Sequence, residues 1–341
     1  MHIEATMPAA VYRRCGPASE VLSIERMATP EPGVGEVLVA VAMSGVNPHD
    51  TKKRAGWLTT QLPAEVIIPH SDGAGIIVAV GPGVSAARLQ KRVWLHGADH
   101  ARPGSGAGAG FVVVGDDHAH ELPVPAGFDA GACLGVPALT AHRAVFADGP
   151  VHGQSILVTG GAGAVAGYAI QLAVLGGAHV IATASTPAKK ALAASYGASL
   201  VIDYRTDDVA AAVQAATGGQ GVDRIIEVDF GANLDVCHRV IKPNGVVAAY
   251  SSTRVREPVL PYYAFARKAV TLHFIQGMLL TPAMVSAAVA MLTPLLANGH
   301  LTHKIAARFA FADIAKAHAL LESGEALGKV LVEGPDSELL K

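Results

Sequence analysis

The stretch Ile156-Leu157-Val158-Thr159-Gly160-Gly161-Ala162-Gly163-Ala164-Val165-Ala166-Gly167 constrains this chain more than any other. A short apolar, β-branched run passes into a glycine turn and then into a helical pattern from Ala164 to Leu175. Such a turn lets the backbone approach a pyrophosphate, which then lies over a helix N-terminus whose free amides and dipole favour anions. A glycine turn alone is a weak signal. Here a second strand, His179 to Thr183, ends about 20 residues on, the spacing of a dinucleotide-binding βαβ unit.

The rhythm around the turn extends this reading. From about residue 129 onward, strands alternate with helical patterns, the mark of a parallel sheet covered by helices. Strands are predicted at Ser155–Thr159, His179–Thr183, Leu200–Ile202, Arg224–Val228, Gly245–Tyr250 and Val270–Ile275. Helices are predicted at Ala164–Leu175 and Pro187–Tyr196, then at Ala283–Ala297 and Ile314–Ser323 ahead of a strand at Lys329–Glu333. The first 125 or so residues read differently, as short strands between turns: Val37–Ala42, Gly73–Val80, Arg92–Leu95 and Phe111–Val114. Between the last two lies Arg102-Pro103-Gly104-Ser105-Gly106-Ala107-Gly108-Ala109-Gly110, which predicts a flexible surface loop near a binding mouth.

Composition excludes several classes. The 341 residues carry a net charge of −2 with acids and bases mixed, so no basic field for nucleic acid or an anionic membrane is expected. Three cysteines, Cys15, Cys133 and Cys237, lie far apart without a CxxC pair. They form neither a disulfide framework nor a structural zinc lobe, and fit reduced thiols in a cytoplasmic protein. The start of the chain, Met1 to Val11, has Glu4 and no basic stretch before an apolar run, unlike a signal peptide. The greasiest region, Tyr168 to Thr183, is broken by Gln171, Gly176-Gly177 and His179, so no spanning helix is expected.

The end of the second strand speaks to the cofactor. An acid there would accept from a ribose 2′-hydroxyl and repel a 2′-phosphate. The segment Ala182-Thr183-Ala184-Ser185-Thr186-Pro187-Ala188-Lys189-Lys190 has no acid and two lysines. Ser185 and Lys189, with Arg205 as a further candidate, suit a 2′-phosphate, so NADPH is expected.

With these parts placed, their order resembles the medium-chain dehydrogenase/reductases, specifically the zinc-independent quinone oxidoreductase (zeta-crystallin-like) family. The resemblance rests on Ser44-Gly45-Val46-Asn47-Pro48, Ile68-Pro69-His70-Ser71-Asp72-Gly73-Ala74-Gly75, Val80-Gly81-Pro82-Gly83-Val84, Pro137-Ala138-Leu139-Thr140-Ala141 and Gly328-Lys329-Val330-Leu331. It implies an α/β chain with a GroES-like β-rich catalytic domain, residues 1–127 and 278–341, and a Rossmann doubly wound NADPH-binding domain, residues 128–277. It further implies Asn47 near the nicotinamide and acceptor carbonyl, Thr140 near the carboxamide, and Gly160, Gly163, Ala164 and Val165 on the pyrophosphate. Lys189 and Tyr204 match the 2′-phosphate end, and Lys329 a cofactor-side lysine. A homodimer is implied too, with sheets meeting edge to edge near Gly245–Ser252.

The alcohol dehydrogenases of that superfamily have a cysteine where this chain has Asn47 and a His-Glu pair where it has Ser71-Asp72. Asp72 alone cannot build a tetrahedral zinc shell, so no metal is expected. Three departures bear on the chemistry: Ala166 replaces a third glycine, Lys52 a tyrosine and His142 another tyrosine. A quinone or an α,β-unsaturated carbonyl accepts hydride without a metal and needs only a hydrogen-bond donor as charge develops on its oxygen. Asn47 is the candidate donor, and Lys52 or His49 the candidate proton source. The competing readings are a reductase of enals or enones and a non-catalytic NADPH-binding protein.

Overall fold

The computed structural model describes residues 3–57 and 59–340. The chain forms two compact units, Met1–Val136 with Thr281–Lys341, and Pro137–Leu280.

The first unit begins with β1 (Thr6–Val11), α1 (Ala18–Val21) and β2 (Ser23–Ala28), β1 and β2 pairing as a separate antiparallel ribbon. β3 (Glu36–Val46) follows, then α2 (Pro48–Ala55), β4 (Asp72–Val80), β5 (Arg92–Leu95), β6 (Phe111–Gly115), β7 (Ala119–Glu121) and α3 (Phe128–Ala132). β3 is buried along almost its whole length because it pairs with β4, β6 and a late strand at once. α2 is polar, and its start is set locally: Pro48 occupies the first helical turn, and Asp50 accepts from the Asn47 backbone N–H at 2.7 Å. The change of rhythm at about residue 129 precedes the junction of the units, since α3 packs on β3, β4 and β5 of the first one.

The glycine-rich segment before β6 is no flexible surface loop. Residues 106–110 are buried, and Ala107 and Gly108 donate to the carbonyls of His70 and Pro69 at 2.8 and 2.9 Å. Gly108 in turn accepts from Ala10 N. A Cβ on Gly106 would stand 2.2 Å from the Ile68 oxygen and 2.3 Å from that of Pro69, so the glycines serve close backbone approach.

The second unit opens within α4 (Gly135–Phe146) and alternates β8 (Ser155–Val158), α5 (Ala164–Leu175), β9 (His179–Ala184), α6 (Pro187–Ser195), β10 (Leu200–Asp203) and α7 (Val209–Ala216). β11 (Val222–Glu227), α8 (Phe230–Val240), β12 (Ile241–Ala249), α9 (Tyr262–Ala266) and β13 (Thr271–Phe274) complete it. Its six strands are all parallel in the order β10-β9-β8-β11-β12-β13, the 3-2-1-4-5-6 order of the Rossmann fold. α5 is buried from Ala166 to Ala173, as an apolar helix with no polar face must be. β12 pairs on both sides, so the expected sheet-to-sheet contact near Gly245–Ser252 is not available there; the sheet's edges are β10 and β13.

The chain then returns to the first unit as α10 (Pro282–Ala297), β14 (Ile305–Phe309), α11 (Ile314–Glu322) and β15 (Lys329–Glu333). β15 inserts between β14 and β3, giving a seven-stranded sheet, β14-β15-β3-β4-β5-β7 with β6 also on β3. Among the described residues no helix is long and apolar enough to cross a membrane, and all three cysteines are free.

Candidate functional site

Sheet register assembles a polar centre in the first unit. In the β15–β3 pair Val330 faces Val46, which brings Lys329 opposite Asn47; in the β3–β4 pair Gly45 faces Asp72. Lys329 Nζ donates to Asn47 Oδ1 and, at 2.8 Å, to Asp72 Oδ2. Asn47 Nδ2 donates to the same Asp72 oxygen at 2.8 Å, and the backbone N–H of Val136 donates to the other. Asn47, Asp72 and Lys329 are buried, so the network is closed and each charge is matched. Gly45 makes room for it: a Cβ there would lie 2.6 Å from Lys329 Cε.

The other two candidates on α2 point elsewhere. His49 faces Asp99, with Nε2 3.5 Å from Oδ2, and Lys53 Nζ reaches that oxygen at 2.9 Å. Burial pulls the His49 imidazole down, but Asp99 outweighs it and the group is raised above its usual value. Burial acts upward on Asp99, yet His49 and Lys53 hold its carboxyl well below the carboxylate range. Asp50 is pushed up to about 7, first by burial and then by Asp99. Lys52 is half-buried, its ammonium 4.7 Å from the centre of the Trp57 ring.

Behind these lies a second buried pair. Ser44 Oγ meets His70 Nδ1 at 2.9 Å, and His70 Nε2 meets His318 Nε2 at 3.0 Å. Burial keeps both imidazoles neutral, so one ring nitrogen carries the shared hydrogen and the other accepts it.

The second unit supplies the glycine turn. Gly160 has φ +64° and its N–H donates to Thr183 Oγ1 at 3.1 Å, while Gly161 N–H donates to the Thr183 carbonyl at 2.7 Å. The turn is thereby pinned to the next strand. Gly163 is exposed and caps α5, with Ala164 and Val165 half-buried in its first turn, where amides have no intrahelical acceptor. Ala166 is fully buried, and the close approach passes to Gly167, whose Cβ would lie 2.7 Å from the Tyr196 ring. Ser185 is buried at the end of β9, and Thr186 caps α6 by accepting from Lys189 N. Tyr204, half-exposed, is tied to that strand end by its N–H to the Ala184 carbonyl. Thr140 is buried on α4. At the same carboxyl edge a cavity of about 430 Å³ opens between the ends of β12 and β13, lined by Tyr250, Ser251, Arg256 and Phe274 among others.

Two functional partners escape a sequence reading. Asp72 is known from the sequence only as a residue unable to hold zinc, and Asp99 does not stand out at all. The chain separations, 257 residues for Asp72–Lys329 and 46 for Lys53–Asp99, leave no local pattern to find.

Comparisons with known proteins agree with this architecture. Residues 33–124 match the alcohol dehydrogenase GroES-like domain, and residues 196–332 match the zinc-binding dehydrogenase family. The chain is similar to the mouse (Mus musculus) quinone oxidoreductase, 34% identical over 70% of each chain. It is also similar to a trans-enoyl reductase of Pyricularia grisea, 31% identical over 76% of this chain and 71% of that one. A mycobacterial protein solved with NADPH superposes with a TM-score of 0.85 at 27% identity, covering 96% of this chain and 99% of that one. The zinc in the name of one matching family does not fit the centre at Asn47. There an amide stands beside a single carboxylate, and that carboxylate is already neutralised by a buried lysine ammonium. From the sheet order, the glycine turn and these matches, the chain belongs to the medium-chain dehydrogenase/reductase superfamily, in its quinone oxidoreductase-like, zeta-crystallin-type family.

Proposed function

We propose that this oxidoreductase uses NADPH to reduce quinones by zinc-free hydride transfer. The observation that carries the reading is Lys329 on Asp72: the ammonium neutralises the carboxylate and leaves the Asn47 amide as the centre's donor, which suits an acceptor that is itself electron-poor. NADPH, when bound, supplies the hydride. The first-turn amides of α5 at Ala164 and Val165 suit its pyrophosphate, and the acid-free end of β9 with Ser185, Lys189 and Tyr204 suits a 2′-phosphate. Thr140 is assigned to the carboxamide.

Asn47 has one amide N–H on Asp72 and a second that no protein group takes up in the bonds described, which suits it to donate to a developing oxyanion. Lys329 then acts as a positioning residue that fixes the amide's orientation through Oδ1. Lys52, with His49 as the alternative, is the candidate proton source, and either serves only by turning from Trp57 or Asp99 toward the acceptor. Reduction of an enal or enone is the second reading, favoured by the similarity to a trans-enoyl reductase. A cytoplasmic homodimer pairing through β13 fits the free edge of the sheet and the exposed Tyr262, Tyr263 and Phe274 around it.

The test is oxidation of NADPH and NADH in parallel against ortho- and para-quinones and an enal. NADPH-dependent quinone turnover is expected, with Lys189→Glu raising KM for NADPH at least about tenfold while sparing NADH, an electrostatic cost of about 1.4 kcal/mol. Enal turnover alone would change the substrate class. Tight NADPH binding with no turnover would make the chain a binding protein.

A further inference from the structure

We propose that His49, Asp99 and His100 form a binding site for one divalent transition-metal ion of the zinc class. The Nε2 atoms of His49 and His100 lie 3.5 and 3.4 Å from Asp99 Oδ2. Bonds of about 2.0–2.1 Å in a tetrahedral shell separate neighbouring ligand atoms by about 3.3 Å, so both spacings are those of ligands around a shared ion. One ligand atom from each residue lies within 4.8 Å of those of the other two.

A second observation is independent of the spacing. The Asp99 side chain is 2% exposed, yet its Oδ1 has no hydrogen-bond partner, and His49 Nε2 is likewise buried without one. Buried polar atoms are nearly always satisfied, so two orphans within one cluster point to a ligand. Lys53 Nζ lies 2.9 Å from the same Oδ2, so an ion held there competes with that ammonium, while the unpartnered Oδ1 is open to a second bond from the carboxylate.

Two imidazoles and one carboxylate suit zinc, cobalt or nickel and not magnesium or calcium, which prefer all-oxygen shells. His100, with its side chain 41% exposed, gives the ion a way in from solvent. This site is separate from the Asn47–Asp72–Lys329 centre and does not depend on the reductase reading. An ion there would occupy the lone pair of His49 and leave Lys52 as the proton source on α2.

The experiment is equilibrium dialysis of the chelator-stripped full chain against Zn²⁺ or Co²⁺ near neutral pH, with bound metal measured by elemental analysis. One ion per chain is expected. Asp99→Asn and His100→Ala should each weaken binding at least about tenfold, and Lys53→Met should tighten it by removing a competing cation. His100 is at the surface, so His100→Ala carries the test if Asp99→Asn does not fold. No retained ion in the unaltered protein would overturn the proposal. So would undiminished binding by both variants, which would place the ion elsewhere on the chain.

Discussion

The two units solve burial in opposite ways. Among the described residues the first buries eight acidic or basic side chains, Asp50, Arg54, His70, Asp72, His96, Asp99, His318 and Lys329, whereas the second buries two, Arg224 and Glu227. The second unit's core is a continuous set of apolar side chains on a parallel sheet, and its glycine turn is pinned to the next strand by backbone amides. The first unit keeps charges inside and satisfies them in pairs. Hydrophobic burial is tolerant of detail, but a buried charge depends on its particular partner. The first unit should therefore be the fragile one.

Acid makes the largest difference. Burial holds His96 and His303 down at about 4 and His120 and His318 at about 3, and all four belong to the first unit. An unfolded imidazole titrates near about 6.5, so the unfolded chain binds more protons between the two values. The stability these rings contribute is complete above about pH 6.5 and falls as pH drops toward 3–4, by about 2 kcal/mol per ring at pH 5. Hydrogen exchange should show β5, β7 and α11 losing protection before β8 and β11; simultaneous loss would erase the contrast.

Next in size is Lys329→Met, which strands the Asp72 carboxylate and should cost about 3–5 kcal/mol. Both tryptophans, Trp57 and Trp94, lie in the first unit, so their fluorescence in urea reads that unit. Adding Asp72→Asn should recover part of the loss, and a cost under about 1 kcal/mol would mean that the pair does not hold the sheet. Gly106→Ala forces a Cβ onto two carbonyls and should cost about 1–3 kcal/mol, while Gly163→Ala, with its nearest contact at 3.3 Å, should cost under about 1 kcal/mol. Equal losses would show that the two glycine segments are constrained alike. The smallest effect is Lys189→Glu, which should leave stability within about 0.5 kcal/mol while changing cofactor preference.

The same contrast governs what could be read in advance. α5, β5 and β15 are found at the bounds their patterns predict, because periodicity and turn residues are local signals. The 104–110 segment reads as a loop because composition does not separate a glycine kept for flexibility from one kept for close contact. β1, β2 and β14 carry weak alternation and went unseen. α2 is too polar to register by hydrophobic pattern, although Asn47-Pro48 with Asp50 at the third helical position is a legible start. Asn47 and Lys329 were singled out separately; that they share Asp72 follows only from strand register.

Placing β15 in the middle of a sheet begun by β3 has a consequence for biosynthesis. Lys329 leaves the ribosome 257 residues after Asp72. At about 5–20 residues per second that is roughly 13–50 s during which the nascent carboxylate awaits its lysine. The whole of the second unit emerges in that interval, and the core cluster around Leu157, Ile225 and Val247 is built from its own residues. The order of synthesis thus favours the nucleotide-binding unit condensing first, with the earlier-made segment held open and in need of protection until its last strand is delivered.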